Sequence, residues 1–207
     1  MYLIGLTGGI AAGKSTVAKR MVEHGAIEID ADQLARDVVA RGTRGAQLIL
    51  EKFGAEVFDN DGELNRKALA AVVFHDPLKR TALEQIVHPL VKERGKAILD
   101  ALPADAIAIY NVPLLVEAKV EMPFDKVITV EAPQSAQIER LIKHRGMTES
   151  EALARIKVQA TPAQRANAAD VILSSNQDLA KLLSDVDALW RVIEREADAK
   201  VTLEGQN

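Results

Sequence analysis

A glycine-rich motif near the start of the chain constrains its fold more than any other feature. Gly8-Gly9-Ile10-Ala11-Ala12-Gly13-Lys14-Ser15 fits the pattern G-x-x-x-x-G-K-[ST]. It follows a short apolar run at residues 2–7, and from Lys14 onward the apolar residues recur at helical spacing. A strand, a glycine loop and a helix in this order surround a bound phosphate with backbone N–H groups and the positive end of the helix. The sequence therefore predicts a nucleotide-binding loop in an α/β fold.

The same motif predicts which side chains meet the nucleotide. We expect Lys14 to reach the β- and γ-phosphates and the Ser15 hydroxyl to bind Mg²⁺. The glycines free the backbone to turn its N–H groups toward the β-phosphate. The predicted nucleotide-binding residues of the loop are Gly8, Gly9, Ile10, Ala11, Ala12, Gly13, Lys14, Ser15 and Thr16.

Four further short apolar runs predict the rest of a sheet. A brief run at residues 26–29 completes a βαβ unit. The other three, at residues 106–112, 126–130 and 171–173, have the β-branched, apolar character that is typical of strands covered on both faces. Between 31 and 103 we find helical spacing without a buried strand, and Pro77 and Pro89 are expected to separate helices there. The fold predicted is a three-layer α/β structure with a five-stranded parallel sheet.

Composition excludes several functions. The absence of cysteine excludes disulfides, thiolate catalysis and zinc–thiolate sites, so a bound metal would be held by oxygen. The net charge of −4 and the 3% aromatic content argue against a nucleic-acid surface. No apolar stretch approaches the ~20 residues that span a bilayer, and the N-terminus does not resemble a signal peptide. We expect a cytoplasmic enzyme that binds neither nucleic acid nor membrane.

The class of nucleotide-binding protein follows from what accompanies the loop. A GTPase needs Asn-Lys-x-Asp, which this chain lacks, and a motor or transporter ATPase needs a longer chain. At 207 residues the chain suffices for a core, a substrate-binding part and a lid. A small-molecule kinase therefore fits best.

Two aspartates follow the second predicted strand. In a βαβ unit the carboxyl end of that strand emerges at the same sheet edge as the glycine loop, which places Asp30 and Asp32 there. Phosphoryl transfer needs a carboxylate to orient and deprotonate the attacking hydroxyl. Helix capping, with Gln33 closing a capping box on Asp30, is the competing explanation. We assign Asp30 mainly to the cap and Asp32 to catalysis, because a capping carboxylate is a poor proton acceptor.

The chain resembles the dephospho-CoA kinase family. The resemblance rests on Gly5-Leu6-Thr7-Gly8-Gly9-Ile10 and Asp30-Ala31-Asp32-x-x-Ala35-Arg36, with Glu63-Leu64-Asn65-Arg66, His88-Pro89, Val112-Pro113-Leu114-Leu115 and Ala169-Asp170-Val171-Ile172 in that family's order. It implies ATP-dependent phosphorylation of the ribose 3′-hydroxyl of dephospho-CoA, giving coenzyme A and ADP. It also implies a nucleotide-binding core (1–30, 104–133 and 165–207), a helical substrate domain (31–103) and a lid (134–164).

The resemblance also implies roles for individual residues. Asp32 would be the base and would contact the substrate. Arg140 and Arg145 in the lid would neutralise charge on the transferring phosphoryl group, and Arg145 would be an ATP ligand. The alternative is that both arginines are solvated residues on a helix surface. Arg66 and His88 would help hold the substrate, although His88 could simply end a helix before Pro89. For Glu117 the sequence leaves open whether it faces the site or caps the next turn.

Two departures from the family pattern bear on the site. The family usually carries Gly-Ser where this chain has Ala11-Ala12, so a left-handed or close-approach position is expected to lose its freedom. Asn111 stands where many members place an acidic residue, which would leave more of the Mg²⁺ organisation to Asp32.

Two other functions remain as alternatives to a dephospho-CoA kinase. One is another small-metabolite or nucleoside monophosphate kinase, and the other is a nucleotide-dependent binding switch. The oligomeric state has no signal in the sequence.

Overall fold

The computed structural model describes residues 1–118, 120 and 122–204 of the chain. The chain divides into two compact units, one built from residues 1–30 and from residue 102 onward, the other from residues 31–101. The end of the predicted core, residues 205–207, lies outside the described residues.

The first unit is built on a parallel sheet of five strands. The strands are β1 (Tyr2–Gly8), β2 (Ile27–Asp30), β3 (Ile107–Asn111), β4 (Lys126–Glu131) and β5 (Val171–Ser174). Their order is β2-β3-β1-β4-β5, and every neighbouring pair is parallel. β1 lies at the centre of the sheet and is buried along its whole length, as the apolar run at residues 2–7 predicts. The predicted five-stranded parallel sheet is therefore confirmed.

Along the part of the chain that the structure describes, nine α-helices lie between or after these strands in sequence. They are α1 (Lys14–Glu23), α2 (Ala31–Asp37), α3 (Arg44–Phe53), α4 (Arg66–Phe74), α5 (Pro77–Asp100), α6 (Gln134–Arg145), α7 (Glu149–Lys157), α8 (Pro162–Asn167) and α9 (Leu179–Glu204). Local signals set several boundaries. Gly146 ends α6 in the left-handed conformation, and Thr148 and Glu151 form a reciprocal capping box at the start of α7.

The core of the first unit lies between the sheet and the pair α1 and α9. These two helices pack against each other, and their apolar faces meet the side chains of β1 and β4. Trp190, the one tryptophan of the chain, is 4% exposed in this core. The largest fully buried side chains of this cluster are Ile4, Leu6, Val17, Met21, Ile109, Ile128, Val130, Val186 and Ile193.

The second unit contains α2 to α5 and a 3₁₀ turn at Ala55–Val57, with a separate apolar core around Ile49, Phe53 and Val57. Residues 31–101 contain no strand, only one antiparallel bridge. The expectation that Pro89 separates two helices is wrong, because α5 runs without interruption from Pro77 to Asp100. Proline removes one backbone donor from a helix, and here packing of α5 against α2, α3 and α4 outweighs that loss.

None of the helices in the described ranges is both long enough and apolar enough to span a bilayer.

Candidate active site at the glycine loop

The glycine motif forms the turn between the central strand and the first helix. β1 ends at Gly8, and α1 begins at Lys14 with Gly13 in a left-handed conformation as its N-cap (φ 98°). A Cβ at Gly8 would lie 2.4 Å from the carbonyl oxygen of Val130 on the neighbouring strand β4. Glycine at position 8 therefore lets the loop leave the sheet close to β4, as the motif requires.

Ala11 adopts the conformation that glycine usually takes. Its φ is 56°, and it is the one non-glycine residue with positive φ in the part of the chain described. A left-handed conformation costs an L-residue roughly 1–2 kcal/mol because Cβ crowds the following carbonyl oxygen. Of the two alanines, Ala11 is therefore the one whose backbone conformation would favour glycine. Contacts with the surrounding residues must hold Ala11 in this conformation.

Two glutamines bind the backbone at Ile10. Gln137 of α6 donates from Nε2 to the Ile10 carbonyl (2.8 Å), and Oε1 of Gln159, after α7, accepts from the Ile10 N–H (2.8 Å). Gln137 is buried, although its sequence neighbourhood is polar. Side chains from the predicted lid segment therefore contact the loop itself.

Arg140 also contacts the loop backbone. Its Nη1 donates to the carbonyl of Ala11 (3.0 Å) and to Oγ of Ser175 (2.9 Å), and its Nη2 donates to the Ser175 carbonyl (2.9 Å). The Ser175 hydroxyl donates in turn to the Ala12 carbonyl (2.5 Å). Arg145, the other predicted lid arginine, is exposed at the C-terminal end of α6. The structure therefore brings Arg140 to the loop backbone and leaves Arg145 at the surface.

Lys14 takes part in a polar chain across the strand ends. Its ammonium donates to Oδ1 of Asn111, and Nδ2 of Asn111 donates to Oε1 of Glu28 on β2 (2.6 Å). Asn111 is buried at the end of β3, next to Asp30 in the strand register. The carboxylate that the family pattern leads one to expect at position 111 is thus replaced by an amide linked to the carboxylate of Glu28.

A buried ion pair lies beside Gly9. Arg165 of α8 forms two parallel hydrogen bonds with Glu131, from Nε to Oε1 and from Nη2 to Oε2, both 2.6 Å. A Cβ at Gly9 would lie 2.4 Å from Nε2 of Gln137 and 3.1 Å from Nη2 of Arg165. The absence of a side chain at Gly9 leaves room for both.

Glu117 makes a long-range backbone contact that the sequence did not indicate. Its Oε1 accepts from the backbone N–H of Ala160 (2.7 Å), so it joins the segment after β3 to the start of the α8 region. Its Oε2 is buried and has no hydrogen-bond partner among the described residues.

A cleft of about 430 Å³ opens beside the start of α1. Ser15, Thr16 and Lys19 line it from α1, while Leu179 and Leu183 line it from the first turns of α9. Ser15 is exposed at the N-terminal end of α1, so its hydroxyl is accessible to a ligand. The cleft, which Arg20 and Glu23 also line, combines hydroxyl groups and charges of both signs with an apolar wall next to the phosphate-binding loop.

The remaining predicted residues belong to the second unit. Asp32 is the second residue of α2 and is exposed, two residues along the chain from the end of β2. Arg66, the first residue of α4, donates from Nη2 to the carbonyl of Arg36 at the end of α2 (3.3 Å). His88 is exposed within α5, so the alternative that it ends a helix is wrong. Within this unit, α4 and α5 both contact the helix that carries Asp32.

Five residues at the loop were missed by sequence reasoning as site residues: Glu131, Gln137, Gln159, Arg165 and Ser175. Glu131 and Ser175 come directly at or after the carboxyl ends of predicted strands, where ligand sites of parallel sheets lie, so their position was a usable signal. Gln137 and Arg165 lie on polar helices and Gln159 follows one, and the local sequence pattern there indicates a solvent-exposed surface.

Comparison with known proteins agrees with this geometry. A family model described as dephospho-CoA kinase matches residues 2–181. The dephospho-CoA kinase of Streptomyces avermitilis is 45% identical over 190 residues, which cover 92% of this chain and 93% of that protein.

Solved structures share the fold. The crystal structure of TT1252 from Thermus thermophilus has a TM-score of 0.78 and 32% identity, covering 91% of this chain and 95% of that one. A dephospho-CoA kinase from Campylobacter jejuni has a TM-score of 0.66 at 21% identity, covering 92% and 96%, and shows the shared fold. The sequence match over most of its length and the parallel sheet around a phosphate-binding loop together show that this chain belongs to the dephospho-CoA kinase family.

Proposed function

We propose that this chain carries out the reaction of its family at the glycine loop, with Lys14 binding phosphate and Asp32 acting as the base. The reaction transfers the γ-phosphoryl group of ATP to the ribose 3′-hydroxyl of dephospho-CoA, and it is the last step of coenzyme A biosynthesis. The observation that carries the proposal is the loop between β1 and α1, with Lys14 at the helix start. Family membership favours this reaction over the small-metabolite kinase and binding-switch alternatives.

The loop would bind the phosphates through its backbone N–H groups and the ammonium of Lys14. Asn111 already contacts that ammonium from the end of β3, which limits the directions the lysine side chain can take. A fixed cation at this place stabilises charge that develops on the bridging oxygen as the γ-phosphate leaves ADP. Lys14 therefore serves both ATP binding and transfer.

Mg²⁺ fits the donor chemistry of this site. The exposed Ser15 hydroxyl at the start of α1 is an oxygen ligand of the kind that Mg²⁺ takes in phosphate-binding loops, where the phosphates and water supply the other ligands. When bound, the ion would neutralise phosphate charge.

Asp32 would accept the proton of the attacking hydroxyl. As the ribose 3′-oxygen bonds to the γ-phosphorus and the bond to the bridging oxygen breaks, the hydroxyl proton passes to the carboxylate and ADP leaves. The exposed position of Asp32 at the start of α2 leaves the carboxylate accessible to a substrate. We assign Arg66, His88 and Glu117 to substrate binding and Arg145 to ATP, as the family resemblance implies.

The cleft beside α1 would hold the nucleoside of ATP. Ser15 and Thr16 adjoin the phosphate-binding loop, and the apolar side chains of Leu179 and Leu183 face the same space. A flat, largely apolar base suits such a wall.

The cytoplasmic location of the protein stays a prediction.

The test is acceptor-dependent release of ADP with Mg²⁺ and ATP, comparing dephospho-CoA with nucleoside monophosphates and small alcohols. We expect stimulation by dephospho-CoA alone, with coenzyme A as product. Stimulation by a different acceptor would contradict the substrate assignment, and no stimulation would contradict the enzymatic one.

Asp32→Asn tests the base. A general base contributes roughly 10²- to 10⁴-fold, so we expect turnover to fall by that factor while ATP binding persists. Asp30→Asn is the matched control, because it removes the neighbouring carboxylate at the end of β2 and should keep most turnover. Equal losses in the two variants, or unchanged turnover in Asp32→Asn, would refute the assignment.

A further inference from the structure

A cluster of hydrogen bonds centred on Ser175 and Arg140 holds the backbone of the glycine loop. Ser175 is 4% exposed, and its backbone N–H donates to the carbonyl of Glu131 at the end of β4 (2.8 Å). Its hydroxyl proton goes to the Ala12 carbonyl, and its oxygen accepts from Nη1 of Arg140. Ser175 is therefore a fixed point on the sheet from which the loop backbone is held.

The guanidinium of Arg140 completes the cluster. The two hydrogens of Nη1 account for its bonds to the Ala11 carbonyl and to Oγ of Ser175, and Nη2 binds the Ser175 carbonyl. A planar fork with several fixed donors suits three acceptors at once, which an ammonium on a flexible stem does not. These contacts use Arg140 to shape the loop, a different role from neutralising charge on the transferring phosphoryl group.

The orientation of the carbonyls decides where the loop N–H groups point. In a planar trans peptide the N–H points away from the carbonyl of the same peptide group. Because Ser175 holds the Ala12 carbonyl, the N–H of Gly13, which belongs to the same peptide group, points away from Ser175. The cluster therefore orients a donor of the phosphate-binding loop.

Ala11 makes this support necessary. Its left-handed conformation (φ 56°) is unfavourable for an alanine, and without outside contacts the residue would relax into an ordinary backbone region. We propose that Ser175 and Arg140 form a clamp that holds the Ala11-Ala12 backbone in its phosphate-binding shape, and that alanine at position 11 makes nucleotide affinity depend on this clamp. Ser175 and Arg140 are thus positioning residues.

This proposal rests on the proposed binding of ATP at the loop and is tested by calorimetric titration with ADP and a non-hydrolysable ATP analogue. Ser175→Ala removes the hydroxyl that holds Ala12. The matched control is Ser174→Ala, which changes the exposed serine next to it, whose hydroxyl oxygen accepts a hydrogen bond from the nearby backbone N–H of Asn176 (3.3 Å). Relaxation of the loop lowers the competent fraction, so we expect Ser175→Ala to raise Kd at least about fivefold and Ser174→Ala to leave it unchanged.

Rescue distinguishes a clamp from a general structural role. Glycine tolerates the left-handed conformation, so the double variant Ala11→Gly with Ser175→Ala should bind within about twofold of Ala11→Gly alone. In steady state, Ser175→Ala should raise KM for ATP and leave KM for the acceptor unchanged. If Ser175→Ala acted only by lowering overall stability, its effect would not be confined to the Kd for nucleotide. Ala11→Gly would then not restore binding.

Arg140→Lys provides a second variant if Ser175→Ala folds poorly. The clamp predicts weaker nucleotide binding that Ala11→Gly restores, whereas a role confined to phosphoryl transfer predicts a lower kcat that Ala11→Gly does not restore. The second result would overturn the clamp.

Lys14→Ala separates failure of the clamp from failure of the proposed function. If Lys14→Ala abolishes nucleotide binding while Ser175→Ala binds like Ser174→Ala, the clamp alone is refuted. If Lys14→Ala binds nucleotide like the unchanged chain, both proposals are refuted, because the loop is then not the nucleotide site.

Discussion

Glu131→Gln is expected to destabilise the first unit strongly, because it breaks a buried ion pair on one side only. The side chain of Arg165 is 4% exposed and that of Glu131 is 15% exposed, and they share two hydrogen bonds of 2.6 Å. Glutamine keeps the volume, but it removes the negative charge and turns an NH₂ group toward the donors of Arg165. Thr129, whose hydroxyl donates to Oε1 (2.7 Å), loses an ionised acceptor as well.

The magnitude follows from the cost of leaving a buried charge unpaired. Removing one partner of a buried pair typically costs about 3–5 kcal/mol, a large part of the ~5–15 kcal/mol that stabilises a domain. Replacing both partners by apolar residues, as in Glu131→Leu with Arg165→Met, removes the charges together. We expect that double variant to lose far less than Glu131→Gln, since neither charge remains to be buried.

The assay is urea unfolding followed by the fluorescence of Trp190. This residue is the one tryptophan in the chain and lies in the core of the first unit, so its signal reports that unit. Lys181→Gln is the control, because it removes an exposed i,i+4 contact with Asp185 in α9 that is worth only about 0.3–0.5 kcal/mol. A loss below about 1 kcal/mol in Glu131→Gln would refute the reasoning.

Two further predictions concern the loop and the pH dependence of stability. Gly8→Ala places Cβ 2.4 Å from the Val130 carbonyl oxygen, so we expect a loss of about 1–3 kcal/mol in urea unfolding and weaker nucleotide binding; wild-type values for both would contradict the close approach. Hydrogen bonds from Arg20, and then from His24, hold the pKa of Asp187 well below its usual range. A depressed carboxyl pKa contributes stability above the unfolded pKa of about 3.9, and that contribution is lost as pH falls toward the folded value. Unfolding measured between pH 6 and 2.5 should therefore show a shallower acid loss in Asp187→Asn than in the unchanged chain, and parallel curves would exclude this linkage.

The sheet and the loop were predictable because their signals are local. Most strands are short apolar runs, although β2 (Ile27–Asp30) contains Glu28 and Asp30. The glycine motif lies between a strand and a helix, as its sequence context predicted. The capping box of Thr148 and Glu151 was likewise readable from four consecutive residues. Asn111 and Ala11 were recognised as departures, but their neighbours were not.

Pro89 shows where local signals mislead. A proline normally marks a helix boundary because it lacks the backbone donor, yet α5 continues through it. Contacts of α5 with three other helices of its unit stabilise the continuous helix. Tertiary packing outweighs a single lost hydrogen bond, and no window of sequence around Pro89 contains that information.

The sequence by itself determined the strand–loop–helix order, the parallel sheet and the positions of Lys14 and Ser15, because these depend on patterns within a few neighbouring residues. Only the tertiary structure decided what surrounds the loop. Ser175 lies 163 positions along the chain from the Ala12 carbonyl that it binds, and Arg140 lies 129 positions from Ala11. A hydrogen bond between such distant residues exists only after the strands have assembled, since it is the order of the strands in the sheet that brings the end of β5 and helix α6 to the end of β1.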